Sequence, residues 1–340
     1  MENWVNSKRE ENEIVLSSRI RLARNIKDVP FPNKLSIEKG IELVSEIEKA
    51  FYITDEMKEH FKTINLWKND WTYNRVFLEK HLISSKLLIN GKKAAFILDN
   101  DETTSIMINE EDHLRLQCIT SGLNLTEAYN EADRYDNLLE ETIDFAFDEK
   151  LGYLTACPTN LGTGLRASVM IHLPALSSTN EMNEVLNALT QVGMTIRGLY
   201  GEGSKAEGCL YQISNQITLG LTEMDILNNL NAVVDQVIRR EQLSREQILK
   251  NHKYELEDKI FRALGLLKSA VILSSKEGLN LLSNVRLGVE MGIVKEIEIS
   301  KINELSIEVE PANLQIKNNK KLSEKERDIF RAKLVREKLN

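Results

Sequence analysis

Beyond Gly220 the chain changes texture, and that change limits its fold more than any other feature. From Thr222 to about Val294 there is no proline and glycine is sparse, so every window fits helical spacing. Before Gly220 the pattern is mixed, with short β-rich runs set between turn residues and a few helical stretches. These textures predict an α/β (α+β) domain over residues 1–225, with its core at about 14–225, and an all-helical domain over 226–340.

Within the first part, Ser36 to Tyr52 has apolar residues at helical spacing behind a Ser cap. AAFILD (94–99) and TSIMIN (104–109) flank a DNDE turn and predict an antiparallel hairpin, and HLRLQCIT (113–120) predicts another strand. A helix is expected from Thr126 to Ile143, then strands at LGYLTACP and RASVMIHLPAL. A further helix should stop at Gly193, before strands at TIRGLYG and LYQISNQITLG. PANLQIKNNKK reads as a polar separator. A last helix follows, opened by a capping box from Ser323 to Glu326.

Charge and cysteine usage exclude several classes of function. A net charge of −8 over 340 residues gives no basic field for nucleic acid. Cys118, Cys157 and Cys209 are odd in number and far apart, which predicts neither a disulfide framework nor a zinc cluster. No signal-peptide core and no membrane-length run is present, so a reducing cytoplasm is the expected home and no membrane the expected partner.

No G-x-x-x-x-G-K-[ST] occurs, and no G-x-G-x-x-G follows a strand. Arginines nevertheless recur within or beside apolar β segments: Arg19 and Arg21 in VLSSRIRLARN, Arg115 in NEEDHLRLQ, Arg166 in CPTNLGTGLRAS, and Arg197 in TIRGLYGEG. Unpaired buried charge is expensive, so each needs an internal carboxylate or an anionic ligand. Either partner would serve for any one of them. Five such contexts favour a shared anion, and a planar guanidinium grips phosphate oxygens with two parallel hydrogen bonds.

SSRIRLARN, NEEDHLR, CPTNLGTGLRAS and RGLYGEGS, in that order, resemble the catalytic domain of the phosphagen (guanidino) kinases. The similarity is strongest to the bacterial protein arginine kinases and covers the chain from about Ile14 to its end. It implies an antiparallel sheet flanked by helices, as in glutamine synthetase, and transfer of the ATP γ-phosphoryl group to a guanidinium nitrogen, with Mg²⁺ on the phosphates. Under the same resemblance Arg19, Arg21, Arg115, Arg166 and Arg197 clamp the phosphates, and His81 contacts the nucleotide. Further nucleotide contacts fall on Ser17, Ser18, Ile20, Ala167, Ser168, Val169, Met170, Gly198, Leu199, Tyr200, Gly201 and Glu202. In small-molecule members a histidine stands where this chain has Met170.

For the acceptor, the resemblance assigns the catalytic roles to Glu111, Cys157 and Glu202. The two carboxylates grip the incoming guanidinium and the thiolate lies beside it. A guanidinium stays protonated to high pH, so a carboxylate that orients it and takes its proton suits the reaction. Only sixteen residues precede Ser17, where small-molecule members carry a helical domain; a more open site and a protein substrate with exposed arginine are expected. RDIFRA (327–332) is similar to the RDxxRA motif, and implies allosteric phosphoarginine binding by Arg327, Asp328, Arg331 and Ala332. The resemblance further implies a stress-response role in marking proteins for a Clp protease. It also implies a zinc-containing activator, a stress-gene repressor as partner, and a homodimer. A small-molecule guanidino kinase and an inactive phosphoarginine-binding adaptor are the alternatives.

Overall fold

The computed structural model describes residues 3–5, 14–179, 181–198 and 206–340. Its strands are β1 (Val15–Arg24), β2 (Phe61–Asn65), β3 (Ala95–Asp99), β4 (Thr104–Ile108), β5 (Leu114–Ser121), β6 (Phe147–Asp148), β7 (Gly152–Tyr153), β8 (Leu165–His172), β9 (Met194–Gly198) and β10 (Leu210–Asn215). Eight of them form one sheet in the order β2-β3-β4-β5-β1-β8-β10-β9, while β6 and β7 pair separately. The β2-β3, β3-β4, β4-β5 and β5-β1 pairs are all antiparallel, and DNDE turns the β3-β4 hairpin as expected. The α+β class and the sheet flanked by helices thus stand as the sequence implied.

Two compact units interleave along the chain. The first gathers Ser17–Ser168 and Ser214–Leu230; the second gathers the segment ending at Leu16 with Val169–Ile213 and Asn231–Asn340. In the first unit β3 and β4 are buried throughout, which explains their unbroken apolar runs. One face packs Phe96, Leu98 and Met107 against Phe77, Leu82 and Leu87. On the other, Phe51 of helix Ile37–Phe51 meets Phe61 and Tyr135, with ring centroids 4.9 Å and 5.9 Å away. Ser36 caps that helix, its hydroxyl accepting from the Lys39 amide.

The second unit holds helix Glu223–Asn251 from Asn231 onward, and helices Lys253–Ser269, Ser275–Glu290, Ile299–Glu308, Pro311–Lys317 and Glu324–Leu339. Ile260, Leu267, Val285, Leu305 and Val335 centre their core. Within this unit His172 is fully buried, with Nδ1 3.1 Å from Glu290 and Nε2 2.8 Å from the Ser283 hydroxyl. Arg245 and Arg286 both donate to Glu290, and Arg245 also to Glu241. Burial lowers the His172 value and holds the ring neutral, although Glu290 pulls the other way. Both bonds of the Ser323–Glu326 capping box are present.

Three expectations need correcting. LGYLTACP is a strand only at Gly152–Tyr153; beyond it the Ala156 amide donates to a side chain, Asp112, instead of a ladder partner. LYQISNQITLG ends as a strand at Asn215, whose side chain bonds Leu165, Ala167 and Ile217 and so turns the backbone away. PANLQIKNNKK is no separator. Pro311 starts a helix to Lys317 that buries Ala312 and Leu314, its missing N–H costing nothing in the first turn.

Candidate active site

Alternation along β1 puts Ser17, Arg19 and Arg21 on one face of the sheet. The β1-β5 register sets Arg21 opposite Gln117 and Ala23 opposite Arg115, so Arg115 joins that face. Gln117 in turn donates to the carbonyls of His81 and Leu82 at 2.9 and 3.1 Å, which brings His81 over it. Arg166 is the second residue of β8, and two residues on, the Ser168 hydroxyl accepts from Arg19 Nε at 3.4 Å.

Four guanidinium groups therefore share a small volume, and their electrostatics show it. Arg19 is lowered from its ordinary value to about 10, through burial and then the charge of Arg115. Arg21 falls well below its ordinary value through burial and the charges of Arg19, Arg115 and Arg166, with Glu110 opposing them. Arg21 Nε is buried without a hydrogen-bond partner. A donor left so costs roughly 1–3 kcal/mol. A cluster that repels itself and orphans a donor is built for a polyanion. His81, at φ 62°, drops to about 4 through burial and the charge of Arg19, so it is neutral at physiological pH.

Other nucleotide candidates scatter. Ser18 faces away, its hydroxyl donating to Gly122 O at 2.8 Å and accepting the Asn124 amide at 2.9 Å. Ile20, Ala167 and Val169 are fully buried, and Met170 nearly so. Arg197 and Gly198 end β9 in the second unit. Leu199, Tyr200, Gly201 and Glu202 lie outside the described residues.

The residues expected on the acceptor side begin with Glu111, on the loop between β4 and β5. Glu111 forms an ion pair with Lys86, Nζ to Oε2 2.7 Å. Its neighbour Glu110 is buried and pairs with Arg115 at 2.6 Å; it also accepts from the Ser84 hydroxyl and the Glu111 amide. Burial opposes the charge on Glu110, but Arg115 and these bonds outweigh it and hold the carboxyl below its ordinary value. Asp112 accepts from Asn25 Nδ2 at 2.6 Å and from the Ala156 amide at 2.7 Å. Cys157 follows directly, half-buried, with Sγ 3.0 Å from the Thr159 hydroxyl. Asp112 thus links the chain neighbour of Glu111 to the residue that precedes Cys157. Cys118, by contrast, is buried and its thiol is pushed up by burial.

The glycines after Cys157 answer to close packing. Gly162 has φ 106°, and a Cβ there would sit 2.4 Å from Thr218 O. At Gly164, φ 65°, it would meet Ala23 O and Arg24 Nη1 at 2.6 Å. Arg24 takes the other partner open to a buried arginine, binding Asp136 at 2.6 Å and lying 3.5 Å over the Tyr153 ring. Sequence reasoning missed Asn25, Ser84, Lys86, Glu110 and Asp112. Only the adjacency of Glu110 and Asp112 to Glu111 offered a signal.

On helix Glu324–Leu339 the two motif arginines part. Arg331 is buried, donating to Val309 O at 2.7 Å, Leu273 O at 2.8 Å and Asp328 at 2.5 Å. Arg327 stays half-buried and donates to Leu322 O at 3.0 Å, and Ala332 lies in the helical core. Among the described residues no group of three or more His, Cys, Asp or Glu side chains could hold a metal. These residues form no resident Mg²⁺ site, and a dication on ATP would ride on phosphate oxygens and water.

The ATP:guanido phosphotransferase C-terminal catalytic domain matches residues 42–244, and the Protein-arginine kinase McsB C-terminal domain matches residues 253–340. The protein-arginine kinase of Clostridium acetobutylicum is 60% identical over 339 residues, spanning 100% of each chain. That of Caldanaerobacter subterraneus subsp. tengcongensis is 45% identical over 331 residues, 97% of this chain and 98% of its own. Among solved structures, lombricine kinase superposes with a TM-score of 0.59 at 27% identity, over 69% of this chain and 68% of its own. The duplicated taurocyamine kinase from Schistosoma mansoni reaches 0.61 at 24% identity, over 79% and 41%, a likeness of fold alone.

Proposed function

Because this chain belongs to the ATP:guanido phosphotransferase family, among its protein-arginine kinases, we propose that it moves the γ-phosphoryl group of ATP onto arginine side chains of proteins. The observation that carries the reading is the convergence of Arg19, Arg21, Arg115 and Arg166 around an orphaned buried donor. Such a cluster spreads the charge that builds on a phosphoryl group in transit, where positioning and electrostatics do most of the work. The P–O bond to ADP breaks, a P–N bond forms, and the attacking nitrogen gives up a proton. Glu111, freed from Lys86, would orient that nitrogen and take the proton, with Cys157 beside it. Glu202 is proposed as the second carboxylate and Arg197 as the fifth clamp. ATP enters with its Mg²⁺ as substrate.

The same family membership supports the finer proposals. They are a cytoplasmic stress-response role, marking for a Clp protease, a zinc-containing activator and repressor partner, a homodimer, and phosphoarginine recognition by the 327–332 motif. No helix among the described residues is long and apolar enough to cross a membrane. Incubation with ATP and either casein or free arginine, read by mass spectrometry under non-acidic conditions, tests the main reading. N-phosphorylated arginine in casein is expected; phosphate appearing only on the free amino acid would overturn it.

A further inference from the structure

A buried amide–carboxylate pair joins the parts of this site that approach from different stretches of chain. Asn25 directly follows the strand that carries Arg19 and Arg21. Its Nδ2 donates to Asp112 at 2.6 Å and to Leu154 O at 2.9 Å, and its Oδ1 accepts the His113 amide at 3.0 Å. Asp112 Oδ1 also accepts the Ala156 amide at 2.7 Å. Both side chains are buried, 2% and 1% exposed, so neither bond can be replaced by bulk water. Each partner adjoins a group of the acceptor site: Asp112 follows Glu111, and Ala156 precedes Cys157.

We propose that Asn25 and Asp112 are positioning residues, a clamp that sets Glu111 and Cys157 at a fixed distance from each other and from the phosphate-binding strand. The proposal rests on the roles given above to Glu111 and Cys157. Neither clamp residue touches the reacting atoms. Their part is to hold the loop before β5 and the turn before Pro158 in one register, where a shift of about 1 Å can cost on the order of 10² in rate. Sheet ladders do not do this, because Leu154 to Cys157 lie outside any strand.

The hydrogen-bond chemistry predicts a particular rescue. Asn25→Asp sets two carboxylates against each other and removes the donor to Leu154 O. Adding Asp112→Asn removes one of the two opposed charges; because a single oxygen, Oδ1, faces both residue 25 and the Ala156 amide, the new side chain turns its Nδ2 towards residue 25 to restore a donor there. For the full-length chain, N25D should lose about a hundredfold in kcat while its ATP affinity stays within about threefold. Its rate of Cys157 alkylation by iodoacetamide, followed on the Cys157 peptide, should change several-fold. The N25D/D112N pair should regain at least tenfold in kcat and return the alkylation rate towards the parent. Equal activity of the single and double variants, or an unchanged alkylation rate in N25D, overturns the clamp. E111Q, run alongside, separates the two readings. If it retains activity the acceptor assignment fails, and the alkylation rates alone then judge the clamp.

Discussion

Arg21 carries a tension that only a ligand relieves. Its guanidinium is pressed by three like charges and one of its donors is orphaned, so the unliganded fold gains nothing from it. Arg21→Met should therefore cost roughly 10³ in rate, the scale of a lost arginine finger. The same change should leave thermal stability equal to the parent or raise it by about 1 kcal/mol. Calorimetry beside a transfer assay checks both, and a variant less stable than the parent would deny the tension. At this scale the sequence was partly legible. Arg19, Arg21, Arg115 and Arg166 stand out because charge in a β segment demands a partner. Asn25 and Asp112 do not stand out, because their value lies in meeting each other across 87 positions.

Among the elements, the stretch after Cys157 shows where pattern reading succeeds and where it stops. Apolar runs such as AAFILD and RASVMIHLPAL named their strands, since burial on both faces needs unbroken apolar sequence, although the second strand ends at His172 and Pro174 starts a helix. LGYLTACP has a similar look but pairs as a strand only at Gly152–Tyr153, and beyond them its backbone is satisfied by Asp112 and by carbonyls elsewhere. No local pattern announces that. At the glycines that follow Cys157 the structure shows what crowds the backbone. Gly162→Ala would force a Cβ against Thr218 O in a backbone region that L residues avoid, costing about 2 kcal/mol or more. Chemical denaturation should show this as a lower midpoint. An unchanged midpoint would mean that the Thr218 segment simply moves aside.

For the whole molecule, the buried histidines make acid a destabilising direction, against the burial-raised carboxyls of Asp99, Asp112, Asp136 and Glu241. His172 is lowered from 6.5 to about 4 by burial, and unfolding restores its ordinary value. Between those limits the unfolded chain binds more protons, so stability falls as pH drops from about 6.5 towards 4, by a few kcal/mol at most. Glu290 is held low by His172, Arg286 and Arg245 against burial, so its own loss follows at lower pH with the same sign. Urea midpoints across this range should fall with acid in the parent and fall less in His172→Gln. His81 shifts in the same direction and keeps some slope. The Lys86–Glu111 pair has an effect on traffic into the pocket. Under the role proposed for Glu111, an incoming arginine would take the place of the Lys86 ammonium on that carboxylate, one positive charge for another, so the charge facing Glu111 would be unaltered. A triphosphate enters against no such exchange. Added salt should raise the KM for ATP steeply while barely moving that for the acceptor.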